Sequence, residues 1–197
     1  MAYIADFDEI HAMAEAIIEE YEVPADAVQA VKDYLISVYM DGRRKCLHDL
    51  YTDIEEDEDM WMYLMPMIHI EDVVEKEIAG KTMSERVLEY VQQKDVESLA
   101  RVIDTESHRD YETGAYEMAE QYQSVTGNRV YKRWHTMLDP YVRETHDYIE
   151  GMEVPMNKRF YTFDGDSARF PGDFSKPENV INCRCWLTYK KKVFNGA

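Results

Sequence analysis

Two of the chain's three cysteines stand two apart in Asn182-Cys183-Arg184-Cys185, downstream of a histidine in Asp139-Pro140-Tyr141-Val142-Arg143-Glu144-Thr145-His146. Thiolates and an imidazole together suit tetrahedral zinc. A strand through residues 181–189 places Cys183 and Cys185 on one face and Asn182, Arg184 and Trp186 on the other. Thiols set that way are poorly placed to bridge each other and well placed to join further ligands. A short helix opening at Asp139-Pro140 and ending at Gly151 carries Asp139, Arg143 and His146 broadly on one face. Packing these two elements together gathers Cys183, Cys185, His146 and either Asp139 or His135, a donor set for Zn2+ in a structural role. The alternative is plain packing, with both cysteines as small buried hydrophobes, His146 bonded to a loop carbonyl and Asp139 only a cap.

Other polar residues support thinner chemistry. Arg184, beside Asn182, has the planar fork to clamp a carboxylate, either as an anion site or as a strut for the loop 170–173; Arg143 and Arg169 are parallel candidates. Glu106, His108, Arg109 and Asp110 sit on a long helix, where Glu106 and Asp110 share a face; they are expected to be surface charges. Asp164 and Asp166 lack the further oxygen donors of a calcium loop. No Gly-rich phosphate loop, Gly-x-Ser-x-Gly elbow or His-Glu-x-x-His is present. A metal-dependent hydrolase, a nuclease or a nucleotide-acting transferase built on the Asp139, His146, Cys183 and Cys185 group is the competing enzyme reading.

The elements that must position these groups follow from periodicity. Apolar Ile10, Met13, Ala14, Ile17 and Ile18 make a helix over residues 5–21, and Pro24 starts a second that ends near Asp41-Gly42. A third covers roughly 43–52. An acidic run from Asp53 to Asp59 and a Met-rich stretch from Met60 to Met67 follow. Another helix begins at Ser84-Glu85 and a long one covers 95–123, where Gly114 marks close packing or a junction. Strands are expected at 130–135, around 159–163 and at 181–189. The fold class is therefore α+β: an acidic helical body (1–97) followed by a small helix-and-antiparallel-sheet module (98–197).

Charge divides along the same line. Residues 1–130 hold 31 Asp/Glu against 11 Lys/Arg, whereas residues 131–197 hold 9 against 11. An acidic body repels a phosphate backbone, so nucleic-acid contact is expected to be local if any, with Lys190-Lys191-Lys192 as the place for it or as a solubilising end. The 15 Tyr and 12 Met exceed the needs of a core and point to protein contacts. No apolar run approaches membrane-spanning length, the first residues do not form a signal peptide, and the cysteine usage fits a reducing cytoplasm.

Residues from about 98 to 189 resemble the phage Mu protein F-like head morphogenesis domain, the minor head protein of tailed phages and prophages. The resemblance is carried by an ordered series: Thr105-Glu106, Arg109, Gly114, Lys132, Trp134, Asp139, Val142-Arg143, His146, Gly151, Pro171, Pro177 and Asn182-Cys183-Arg184-Cys185. Asp104 stands where the family commonly has arginine, and His135 where a small polar residue is usual. The resemblance implies a low-copy virion protein, inside the head near the portal, that joins portal, scaffolding or major capsid protein during assembly in the host cytoplasm. It also implies an influence on DNA packaging or ejection, and makes Asp139, Arg143, His146, Asn182, Cys183, Arg184 and Cys185 the residues that shape the core module.

Overall fold

The computed structural model describes residues 6–50, 70–77 and 80–192. The acidic run and the Met-rich stretch anticipated between Asp53 and Met67 lie outside these residues. Helix α1 (Phe7–Glu20) is capped by Asp6, whose side chain accepts from the Asp8 N–H, and buries Ile10, Ala14 and Ile17. Helix α2 is Pro24–Leu50, followed by α3 (Ile70–Val74), α4 (Met83–Gln93) and α5 (Val96–Thr126). Thr82 and Glu85 form a reciprocal capping box at the start of α4. Asp95 caps α5, and Gly127, in the left-handed region at φ 70, ends it.

The expected break at Asp41-Gly42 is absent: α2 continues through it to Leu50, so no separate third helix begins at 43. The reason is a helix crossing. A Cβ on Gly42 would lie 1.9 Å from the Tyr111 carbonyl oxygen, and one on Gly114 would lie 2.1 Å from the Tyr39 carbonyl oxygen. Each glycine thus admits the backbone of the opposite helix. The roughly 1 kcal/mol that an interior glycine costs a helix is outweighed by the contact that it permits.

After α5 the chain forms a three-stranded antiparallel sheet in the order β2-β1-β5, from β1 (Arg129–His135), β2 (Glu153–Pro155) and β5 (Trp186–Lys192). Between them lie α6 (Glu144–Asp147), a small hairpin of β3 (Phe160–Tyr161) with β4 (Ser167–Ala168), and α7 (Pro177–Val180). Alternation buries Val130, Lys132 and Trp134 of β1 with Leu187 and Tyr189 of β5. One apolar cluster joins α1, α2, α3, α4 and the first part of α5. The other joins the ends of α2 and α5 to the sheet and its loops. Helix α5 runs through both, and every residue from 106 to 116 is buried.

Two expectations at the C-terminal module are corrected. The helix expected from Asp139 is only Glu144–Asp147, with Arg143 at its cap position; Asp139 instead accepts from the Tyr141 N–H in a turn. The last strand begins at Trp186 rather than 181. Asn182 takes the left-handed conformation (φ 54) and the Cys183 N–H bonds to the Val180 carbonyl, so a turn rather than a pleat sets the direction of the thiols.

Candidate metal centre and its buried polar frame

His146 points Nδ1 between the two thiols, 3.3 Å from Cys185 Sγ and 3.6 Å from Cys183 Sγ. All three side chains are buried, and their ligand-capable atoms lie within 4.8 Å of one another. The imidazole is stacked on Phe174 and edge-on to Trp134, which fixes its plane. Its Nε2 is buried without a hydrogen-bond partner. Hydrogen bonding with Cys185, helped by His146, pulls the Cys183 thiol well below its ordinary range. The same bond, together with burial, pushes the Cys185 thiol up. Both cysteines are free.

Each flanking residue grips the same turn. Both oxygens of Asp139 accept from Arg184, at 2.7 and 2.8 Å. Arg143 donates to the Ile181 carbonyl. The structure thus does not bring Asp139 to the His146–Cys183–Cys185 group, because its carboxylate is taken by a bidentate pair. Nor does His135 join it: its Nε2 meets Thr188 Oγ1 at 2.8 Å and its ring stacks on Trp186. Arg184 is not the strut of the 170–173 loop; Asp173 is held by Arg169 and Arg159 instead. A cavity of about 10 Å³ opens beside His146 and Cys185, between Arg143, Asn182 and Arg184. That is room for about one water.

The acids at 164 and 166 organise a loop. Asp166 accepts from the backbone of Ser167, Ser175 and Lys176 and from the side chains of Ser175 and Asn179. Burial alone would raise its carboxyl, but these donors hold it down to about 2. Lys176 and Thr162 bind Asp164.

Sequence reasoning missed the polar frame inside α5. Glu106, Arg109, Asp110 and Glu112 are buried to within 1% exposure, contrary to the expectation of surface charge. Arg109 pairs with Glu106 at 2.5 Å and Asp110 at 2.8 Å, and its Nη2 donates to the Val73 carbonyl at 2.9 Å. Arg86 adds a second cation to Glu106 at 3.1 Å. Gly172, at φ 91, leaves space for the Arg109 stem, which a Cβ would meet at 2.9 Å. His108 Nε2 bonds the Cys185 carbonyl at 2.7 Å and Glu112 accepts from the Leu187 N–H at 3.2 Å. The central helix therefore holds the chain at Cys185 and Leu187, where it leaves the thiol-bearing turn. Buried Lys132 donates to the Arg169 carbonyl at 2.7 Å, and burial pushes its ammonium down to about 7.

Burial pushes the Glu112 carboxyl up to about 7. The folded chain then keeps a proton that the unfolded chain releases near pH 4.5. Stability falls as pH rises through that window. Glu112→Gln is expected to be more stable than the parent at pH 7.5, by on the order of 2 kcal/mol, with no such gain at pH 4.5. Urea melts at the two pH values read this directly.

Residues 68–188 match the family described as Phage Mu protein F like protein. A curated relative, the NAD(+)--arginine ADP-ribosyltransferase EFV of Enterococcus faecalis, is 27% identical over 171 residues. That alignment covers 70% of the chain but 35% of the relative, so the chain spans about a third of that protein's length. No solved structure matches the chain.

Proposed function

Because the chain belongs to the Phage Mu protein F like family, whose members serve phage head morphogenesis, we propose that it is a structural minor head protein acting near the portal. In this reading it resides inside the virion head, meets portal, scaffolding or major capsid protein during assembly, and influences DNA packaging or ejection. The acidic body (1–97) is its docking part and residues 98–197 its rigid module. The observation that carries the reading is where the matched residues go. Lys132, Arg109 and Arg143 each donate to a backbone carbonyl, Gly114 admits a helix, and His146 closes on two cysteines. These residues build a frame, and the cavity that the described residues leave beside His146, about 10 Å³, has room for about one water. The relative's transferase activity belongs to a protein of which about two thirds lies outside the alignment.

Within this module, His146, Cys183 and Cys185 hold a structural Zn2+. With zinc–sulfur bonds near 2.3 Å and zinc–nitrogen near 2.0 Å, a tetrahedral edge between nitrogen and sulfur is about 3.5 Å. The two nitrogen–sulfur separations, 3.3 and 3.6 Å, bracket that value. The small cavity beside Cys185 has room for a water as fourth ligand. Bound there, the ion would tie α6 to the turn that precedes β5. Purified protein is expected to carry about one zinc per chain by elemental analysis, and His146→Ala to lose both the metal and incorporation into heads. A metal-free chain of unchanged stability rules out the zinc; a His146→Ala chain that enters heads at the parental level overturns the structural role of this centre.

A further inference from the structure

The solvent-facing side of the sheet departs from the charge of the chain around it. Residues that alternate with the buried ones on β1 are Arg129, Tyr131, Arg133 and His135; on β5 they are Trp186, Thr188, Lys190 and Lys192. The register sets Arg129 opposite Lys192, Tyr131 opposite Lys190 and Arg133 opposite Thr188. Arg129, Arg133, Lys190 and Lys192 are all exposed. Four cations thus line two adjacent strands, Lys190 and Lys192 about 6.7 Å apart along β5 and Arg129 and Arg133 about 13 Å apart along β1. Glu153 is the acid of β2 beside them, paired with Lys192 at 3.2 Å. In a chain with a formal charge of -18, this face is a concentrated exception.

We propose that this sheet face binds the phosphate backbone of duplex DNA without regard to sequence. The arrangement is a linear array of guanidinium and ammonium groups on a flat, rigid support, which complements a regular polyanion. The aromatic rings on the face are engaged within the chain: Lys192 Nζ lies 3.8 Å from the Tyr131 ring centroid, and His135 and Trp186 stack on each other. Splayed bases would need bare rings to stack on, so the face fits a duplex backbone better than a single strand. The acidic helices repel DNA elsewhere and confine the contact to this face. The proposal stands independently of zinc and of any head partner.

The test is fluorescence anisotropy of the full chain with a labelled duplex of arbitrary sequence and with one of its strands, over about 20 to 200 mM salt. Neutralising two to four phosphates gives a log–log salt slope of roughly -2 to -4. Arg133→Ala with Lys190→Ala is expected to weaken duplex binding about tenfold or more and to shallow the slope by about 2, with an unchanged thermal melt. Lys190→Glu alone should weaken it too, whereas Arg101→Glu, an equal charge change on exposed α5 surface, should have at most a small effect. The proposal is overturned by no duplex binding at the lowest salt, by equal losses in Lys190→Glu and Arg101→Glu, or by tighter binding to the single strand.

Discussion

Gly114→Ala is expected to destabilise the chain by about 3 kcal/mol or more, on the order of 10 °C in melting temperature for a chain of this size. The new methyl would sit 2.1 Å from the Tyr39 carbonyl oxygen, well inside van der Waals contact, and the obstacle is backbone, not a side chain that can swing away. Relief requires α2 and α5 to separate, which disturbs both apolar clusters, because α5 runs through each. Gly42→Ala meets the Tyr111 carbonyl oxygen at 1.9 Å and should cost a similar amount. The double substitution should cost less than the sum of the two, since one separation relieves both contacts. Chemical denaturation of the three variants measures this; a loss under 1 kcal/mol for either single variant contradicts the crossing.

Arg109→Met is expected to cost about 3–5 kcal/mol, the range for breaking a buried ion pair by removing one partner. Glu106 keeps Arg86, but Asp110 loses its cation, and the Val73 carbonyl loses its donor. Burial already pushes the Asp110 carboxyl up to about 7 with Arg109 beside it. Without that cation it should remain protonated well above neutrality. Adding Asp110→Asn should recover part of the loss, because an amide is neutral at every pH, whereas Asp110 without its cation must take up a proton to be buried. The same denaturation series with the double variant reads the coupling. Additive losses would show that the two residues do not act as a pair.

What the sequence disclosed and what it withheld follow from the range of the forces involved. Local signals were legible: Asp6, Thr82 and Asp95 cap helices where residue type and apolar period place them, and Gly127 ends α5. The meeting of His146 with Cys183 and Cys185 was also legible, since the chain has only one other cysteine, Cys46, far away in sequence. Asp139 was misplaced because its pairing with Arg184 depends on a turn at 139–141 that periodicity reads as helix. Gly42 reads as a helix end because its partner, Tyr111, is far away in sequence. The charged run from Glu106 to Glu112 looked solvated because acids and bases on a helix usually are. One signal could have exposed it: Ile103, Ser107, Asp110, Gly114 and Met118 recur at three and four residues, so Asp110 lies on the inward stripe of α5.

Placement of this chain in intact particles tests the central claim most directly. Particles assembled with a tagged copy should show, by electron cryomicroscopy with the tag as marker, low-copy density inside the head beside the portal. A chain absent from purified proheads, or spread evenly over the capsid lattice, would contradict the account.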